Sequence, residues 1–174
     1  MRSYEERAKD FIKEIFPYIE DCTNPFDVRS VVRSYNAKNN RKVIVSSGMT
    51  RIALITSDYV IKYTYDEEEA KDLGGCEDEV KMYRIAEQEG FAYMFAKITR
   101  YNYCGRAFYI MPRIRGVGRD SLSEAWDFMN QAEKDFCEEY QIADLHCNNF
   151  GFRGKQVCLI DYACRDIYDS DNES

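Results

Sequence analysis

The chain has 174 residues, of which 45% are hydrophobic and 14% aromatic, which is enough for one compact domain. Its net charge of −7 and its pI near 4.9 argue against nucleic acid or an anionic membrane as the main partner. No apolar run is long enough to span a bilayer, and the N-terminus does not have the pattern of a signal peptide. The seven cysteines lack a Cys-x-x-Cys pair, which favours reduced thiols in a cytoplasm.

The first 40 residues predict two helices. Ser3 and Glu6 form a capping box before an apolar stripe at helical spacing, and Pro17 is expected to kink this helix or end it near Phe16. A second helix is predicted to begin at residues 24–25, an asparagine N-cap followed by proline. Neither helix carries residues typical of catalysis, so both are assigned to packing or to an interaction surface.

From Arg41 the hydrophobic period changes to that of a β-sheet. Short connections between the first three predicted strands indicate antiparallel pairing. A charged helix and two more strands follow. The predicted ranges are strands over residues 42–45, 51–56 and 59–65, a helix over residues 67–89, and strands over residues 93–101 and 106–111.

The last third predicts a helix over residues 121–140 and then a segment rich in polar residues. In that segment Asp144 precedes Asn149 by five positions, and a strand over residues 157–160 leads into Asp161. Carboxylate and amide oxygens are hard ligands, which suit Mg²⁺ rather than a thiophilic metal. Without a functional role, the same segment is a turn and a hairpin with ordinary polar residues.

The segment over residues 142–163 resembles the catalytic loop and metal-binding strand of the protein-kinase-like superfamily. Its Asp-Leu-His-x-x-Asn-x-Gly form resembles small phage-encoded kinase-like proteins more than eukaryotic kinases. The expected location is the cytoplasm, which is that of the host if the protein is phage-encoded. The resemblance covers roughly residues 41–163 and implies a single α+β domain over residues 1–174 with a minimal kinase-like fold. The expected parts are N-terminal helices over 1–40, an antiparallel five-stranded small lobe over 41–112, and a truncated helical large lobe over 113–174.

The resemblance implies catalytic and metal-binding roles for four residues of this segment. Asp144 would take or orient the acceptor proton, while Asn149 and Asp161 would hold Mg²⁺ on the phosphates of ATP. His146 would either contact the transferred phosphate as an imidazolium or brace the loop.

The resemblance also implies nucleotide contacts in the small lobe. Lys62 would contact the phosphates and would be oriented by Glu79, with Glu77 as the alternative partner. The backbone of the first predicted turn would cradle phosphate, and the end of the fifth strand would form the adenine hinge. These further contacts fall on Ser46, Ser47, Gly48 and Met111.

Some features depart from the family pattern. Ile142 replaces the histidine of the catalytic loop, the metal-binding triplet reads Asp161-Tyr162-Ala163, and only 11 residues follow it, so the activation segment is expected to be missing. The sequence thus predicts an ATP- and Mg²⁺-dependent phosphotransferase with an unknown protein or small-molecule acceptor. The alternatives are a catalytically inactive, pseudokinase-like protein that binds and modulates a partner such as a host protein, and an enzyme that transfers AMP from ATP.

Overall fold

The computed structural model describes residues 2–48, 50–65, 68, 75–116, 123–142 and 144–162. The chain divides into two compact units. The first unit combines Met1–Lys71 with Ile98–Arg113, and the second combines Asp72–Lys97 with Ile114–Ser174. Within the described ranges, no helix has the length and apolarity needed to cross a lipid bilayer. None of the six cysteines in these ranges is in a disulfide bond.

The first unit begins with helix α1 (Tyr4–Ile19), whose start is the predicted capping box. The Ser3 hydroxyl accepts from the Glu6 amide, and the Glu6 carboxylate accepts from the Ser3 amide. The expected end near Phe16 was wrong, because the helix continues through Pro17. Proline removes only one amide donor this close to a helix end, and the Glu20 amide again donates to the Phe16 carbonyl at 2.9 Å.

Helix α2 (Pro25–Asn39) has the predicted cap and a buried face. The Asn24 side-chain oxygen accepts from the amides of Phe26 and Asp27 at 3.0 Å, which satisfies two N–H groups of the first turn. Its apolar stripe is buried at Val28, Val32 and Tyr35.

The sheet of this unit is five-stranded and antiparallel throughout, as predicted. Its spatial order is β1-β2-β3-β5-β4. One face packs on α1 and α2, and the core there includes Ile61 and Tyr63. The strands are β1 (Ile44–Ser47), β2 (Arg51–Ile55), β3 (Tyr59–Thr64), β4 (Thr99–Tyr103) and β5 (Arg106–Pro112).

In its described residues, the second unit contains two α-helices and a three-stranded sheet of order β6-β7-β8. Its buried residues include an aromatic cluster around Phe95 and Phe136, whose ring centroids are 5.9 Å apart. Phe91 packs on Phe136 at 4.6 Å, and Tyr162 packs on Phe95 at 4.8 Å. The elements are α3 (Cys76–Glu89), β6 (Arg115–Gly116), α4 (Gln131–Glu139), β7 (Phe150–Arg153) and β8 (Gln156–Leu159).

The predicted strand over residues 93–101 was wrong in its first half. Residues Ala92–Met94 form a 3-10 turn, and β4 begins only at Thr99. The intervening Phe95 and Ala96 are fully buried next to β8, where the Ala96 amide donates to the Leu159 carbonyl at 2.8 Å. In the sequence, a continuous apolar stretch of this length resembles a buried strand. In the structure, Phe95 makes only an isolated bridge with Leu159.

The predicted continuous helix over residues 121–140 was also wrong. Ala125–Phe128 is a separate 3-10 turn, and Asn130 caps α4 by accepting from the Glu133 amide. Asparagine favours such a cap, because its side chain replaces a missing helical hydrogen bond. The predicted start at Ser121 lies outside the described residues, as does most of residues 67–74 of the predicted charged helix.

Candidate active site

The candidate catalytic loop, residues 144–149 of the second unit, is fixed at several backbone positions. The Leu145 carbonyl accepts from the Ala125 amide at 2.8 Å, and the Leu145 side chain is buried. The Asn149 carbonyl accepts from the amides of Ile160 at 2.8 Å and Asp161 at 3.4 Å. The structure therefore brings the loop next to the residues that follow β8, as the predicted site requires.

Asn149 connects the two ends of the loop. Its side-chain amide donates to the Asp144 carbonyl at 3.0 Å, and its backbone amide donates to the His146 carbonyl at 2.8 Å. Since a carbonyl can only accept, the first bond orients the side-chain amide and leaves its oxygen as a free ligand group. No donor to this oxygen is found among the described residues.

The His146 ring contacts its neighbours through both nitrogens. Nδ1 accepts from the Asn148 amide at 3.2 Å, which assigns the donor role to Nε2. Nε2 lies 3.1 Å from the Asp144 carboxylate and 3.3 Å from the Asn149 side-chain nitrogen. These contacts are those of a residue that braces the loop; the predicted phosphate contact stays a prediction.

Tyr162, the residue after Asp161, anchors this part of the chain. In the sequence it was noted only as a departure from the family's metal-binding triplet. Tyr162 is 2% exposed, and its hydroxyl donates to the Ala96 carbonyl at 2.7 Å. Burial raises the pKa of Tyr162, which keeps the hydroxyl protonated as a donor. The hydroxyl of a buried tyrosine usually has a hydrogen-bond partner. The sequence therefore indicated that Tyr162 could be anchored, but it did not indicate which residue would accept the bond.

The donor set fits a magnesium ion that is shared with a phosphate ligand. Mg²⁺ usually takes one or two protein oxygen ligands and completes its shell with phosphate and water. The Asn149 amide oxygen and the Asp161 carboxylate are groups of this type. In the part of the chain that the structure describes, no cluster of three or more His, Cys, Asp and Glu side chains could hold a metal ion.

Lys62 and Glu79, the two charged residues predicted to act in the small lobe, are both buried. Lys62 belongs to the first unit and Glu79 to the second. Lys62 lies in β3 opposite Ala53 and Tyr109 and is 8% exposed. Glu79 lies in α3 and is fully buried, whereas Glu77 is partly exposed. Because fully buried carboxylates are rare without a partner, the burial favours Glu79 over Glu77. The pairing of Lys62 with Glu79 stays a prediction.

The predicted phosphate turn is shorter than expected. Ser46 and Ser47 belong to β1, and the Ser47 hydroxyl accepts from Arg29 at 2.8 Å. The Gly48 amide donates to the Arg51 carbonyl at 2.9 Å, so this donor is engaged within the hairpin. At the predicted hinge, Met111 is buried in β5 opposite Val60. The nucleotide contacts of these residues also stay predictions.

Comparison with known proteins gives structural likeness but no matching sequence family. No family model matches the sequence, and no curated protein matches it. Among solved structures, a Legionella pneumophila kinase bound to IP6 is similar, with a TM-score of 0.40 and 13% sequence identity. The matched region covers 72% of this chain and 50% of that kinase. The chain therefore spans about half the length of the kinase it matches.

Proposed function

We propose that this protein is an ATP- and Mg²⁺-dependent phosphotransferase that acts on an acceptor yet to be identified. The observation that supports this proposal is the convergence at the catalytic loop. Asn149 ties Asp144 to the segment that carries Asp161, through one side-chain bond and two bonds to its carbonyl. These hydrogen bonds tie together the backbone segments that carry the two carboxylates and the amide oxygen.

In the proposed reaction, Asp144 receives the proton of the acceptor hydroxyl. The acceptor oxygen bonds to the γ-phosphorus of ATP while the bond from that phosphorus to the bridging oxygen breaks, and ADP leaves with the bridging electrons. Asp144 suits the role of a base because its side chain is 74% exposed and can be reached by an incoming acceptor. Bound Mg²⁺ would supply charge neutralisation at the phosphates.

Lys62 and Glu79 keep the roles that the family resemblance assigns to them, phosphate contact and orientation of the lysine. Both residues are buried, and buried charges require partners, so neither is an ordinary surface charge. Their roles are separable from the loop experimentally, because substitution of Lys62 should weaken nucleotide binding, whereas substitution of Asp144 should not.

Nucleotide binding is tested by melting experiments with and without ATP and Mg²⁺. A ligand that binds only the folded state raises the melting temperature, so ATP with Mg²⁺ should stabilise the protein. Asp161→Asn should remove most of that shift, because it removes an anionic ligand of the metal. Asp135→Asn, an exposed substitution in α4 of the same unit, is the matched control. Equal shifts in all three proteins, or none, would contradict the proposal.

Transfer is tested separately with ATP labelled on the γ- or the α-phosphate. Label transfer from the γ-position to the protein itself or to a cell-extract component supports phosphotransferase activity. Transfer from the α-position instead indicates AMP transfer. Nucleotide binding without transfer of either label would favour the binding protein that modulates a partner.

A further inference from the structure

We infer that His146 is a positioning residue that orients the Asp144 carboxylate through its Nε2–H group. This inference rests on the proposed function of the catalytic loop, and it assigns His146 a role different from phosphate contact. The ring lies two residues after Asp144 and links a backbone amide to the carboxylate.

The first support is that both ring nitrogens are engaged within the loop. The Asn148 amide donates to Nδ1 at 3.2 Å, and a backbone N–H cannot reverse its role. The ring proton therefore lies on Nε2, which faces the Asp144 carboxylate oxygen at 3.1 Å. The geometry therefore assigns Nδ1 as the acceptor and Nε2 as the donor.

The second support is the mobility that Asp144 would otherwise have. Its side chain is 74% exposed, and His146 Nε2 lies 3.1 Å from one of its carboxylate oxygens. An exposed aspartate can rotate about two torsions, whereas a general base must lie within hydrogen-bond reach of the proton that it takes. One carboxylate oxygen held by His146 leaves the other oxygen for the acceptor hydroxyl.

The third support is that the backbone of the same residue is also held. The Asn149 side chain donates to the Asp144 carbonyl, so the main chain and the side chain of Asp144 have separate anchors. The two anchors give a role to the polar side chains of His146 and Asn149. They also separate the roles, because Asn149 fixes where Asp144 lies and His146 fixes where its carboxylate points.

Two substitutions of His146 separate the two ring nitrogens. His146→Gln keeps an N–H donor near the position of Nε2, and His146→Asn keeps an acceptor near the position of Nδ1. We expect His146→Gln to retain most of the wild-type kcat and His146→Asn to lower kcat by on the order of 10- to 100-fold, the scale of a misplaced catalytic group. KM for ATP and the melting shift with ATP and Mg²⁺ should be unchanged in both variants.

Other outcomes would overturn the inference. Equal losses in His146→Gln and His146→Asn would show that the Nε2 donor is not what matters. Higher activity in His146→Lys than in His146→Gln would indicate phosphate contact through positive charge. A lost melting shift in either variant would place His146 in nucleotide binding instead.

A spectroscopic measurement separates failure of this inference from failure of the proposed function. His146 is the only histidine, so its ring-nitrogen NMR signals are unambiguous. We expect the signals of the Nε2–H tautomer, and a shift of the Nε2 signal in Asp144→Asn. The opposite tautomer, or no response, would overturn the inference even if the wild type transfers phosphate. Expected signals without transfer of any label would overturn the proposed function and the catalytic role of the contact together.

Discussion

At the scale of single residues, Asp144 combines an exposed carboxylate with a backbone that is hydrogen-bonded by Asn149. Leu145, its neighbour, is buried and fixed through its carbonyl. This alternation of exposed and buried side chains places the carboxylate at the surface without making the loop loose. A substitution at Asp144 should therefore affect chemistry more than folding.

Asp144→Asn is expected to reduce phosphate transfer by roughly 10²- to 10⁴-fold, the range for a lost general base. ATP binding, measured by the melting shift, should remain near the wild-type value, because the proposed metal ligands and Lys62 are unchanged. Asp135→Asn serves again as the matched control. Unchanged transfer in Asp144→Asn would exclude this residue as the base.

Two buried tyrosines of the first unit offer a matched pair for stability. Tyr35 and Tyr63 are each 1% exposed, but only the Tyr35 hydroxyl has a partner, the Glu14 carboxylate, within the described residues. Tyr35→Phe should lower the free energy of unfolding by about 1–2 kcal/mol, whereas Tyr63→Phe should be neutral or stabilising. Urea unfolding of both variants checks this, and a larger loss in Tyr63→Phe would reveal a partner for its hydroxyl.

At the scale of elements, the β6–β7 pair depends on glycine for close approach. Gly116 and Gly151 lie opposite each other in this pair. A Cβ atom on Gly151 would lie 2.8 Å from the Arg115 carbonyl carbon and from the Ile114 side chain, and closer still to the Arg115 carbonyl oxygen. At Gly116 the nearest atom is 3.6 Å away, an ordinary contact.

Gly151→Ala is therefore expected to lower the free energy of unfolding by about 1–3 kcal/mol, because backbone atoms must move to admit the methyl group. Gly116→Ala, in the same strand pair, is the control and should have a much smaller effect. Chemical unfolding of the two variants gives the comparison. Similar losses in both would mean that the strand pair tolerates the added Cβ at either position.

At the scale of the whole molecule, buried tyrosines should make stability fall at alkaline pH. Burial, with a smaller contribution from the Asp58 carboxylate, raises the pKa of Tyr59 to about 12. Burial also raises the pKa of Tyr63 above its ordinary value. The folded state then binds these protons more tightly than the unfolded chain, in which tyrosine titrates near pH 10. Their contribution to stability is complete below about pH 10 and is lost as pH rises towards about 12.

Urea unfolding between about pH 8 and about pH 11.5 should show this loss. The free energy of unfolding should fall less steeply with pH in Tyr59→Phe, because phenylalanine has no titratable hydroxyl. Tyr18→Phe is the control, since Tyr18 is 40% exposed and lies on the surface of α1. A slope equal to that of the wild type in Tyr59→Phe would assign the alkaline loss to other groups.

The sequence by itself determined the features that depend on neighbours within a few positions. The Ser3 capping box and the Asn24-Pro25 helix start were predicted correctly, because their hydrogen bonds close within three residues. The five strands of the first unit were also predicted, although the bounds moved, because short segments rich in β-branched and aromatic residues favour strands. The acidic and amide residues of the candidate loop were singled out because their order resembles the kinase-like pattern, and their roles stay predictions.

Tertiary structure decided the features that depend on contacts distant in sequence. Phe95 and Ala96 leave the predicted strand because β8 lies beside them, more than 60 residues later in the chain. The same kind of contact fixes Tyr162 on Ala96 and so places Asp161, while the His146 ring bonds became visible only with the loop folded. Residue types differ in their intrinsic preference for a helix by tenths of a kcal/mol to about 1 kcal/mol per residue. Burial of a large apolar side chain contributes about 1.5–3 kcal/mol. Long-range packing therefore prevails where the two conflict.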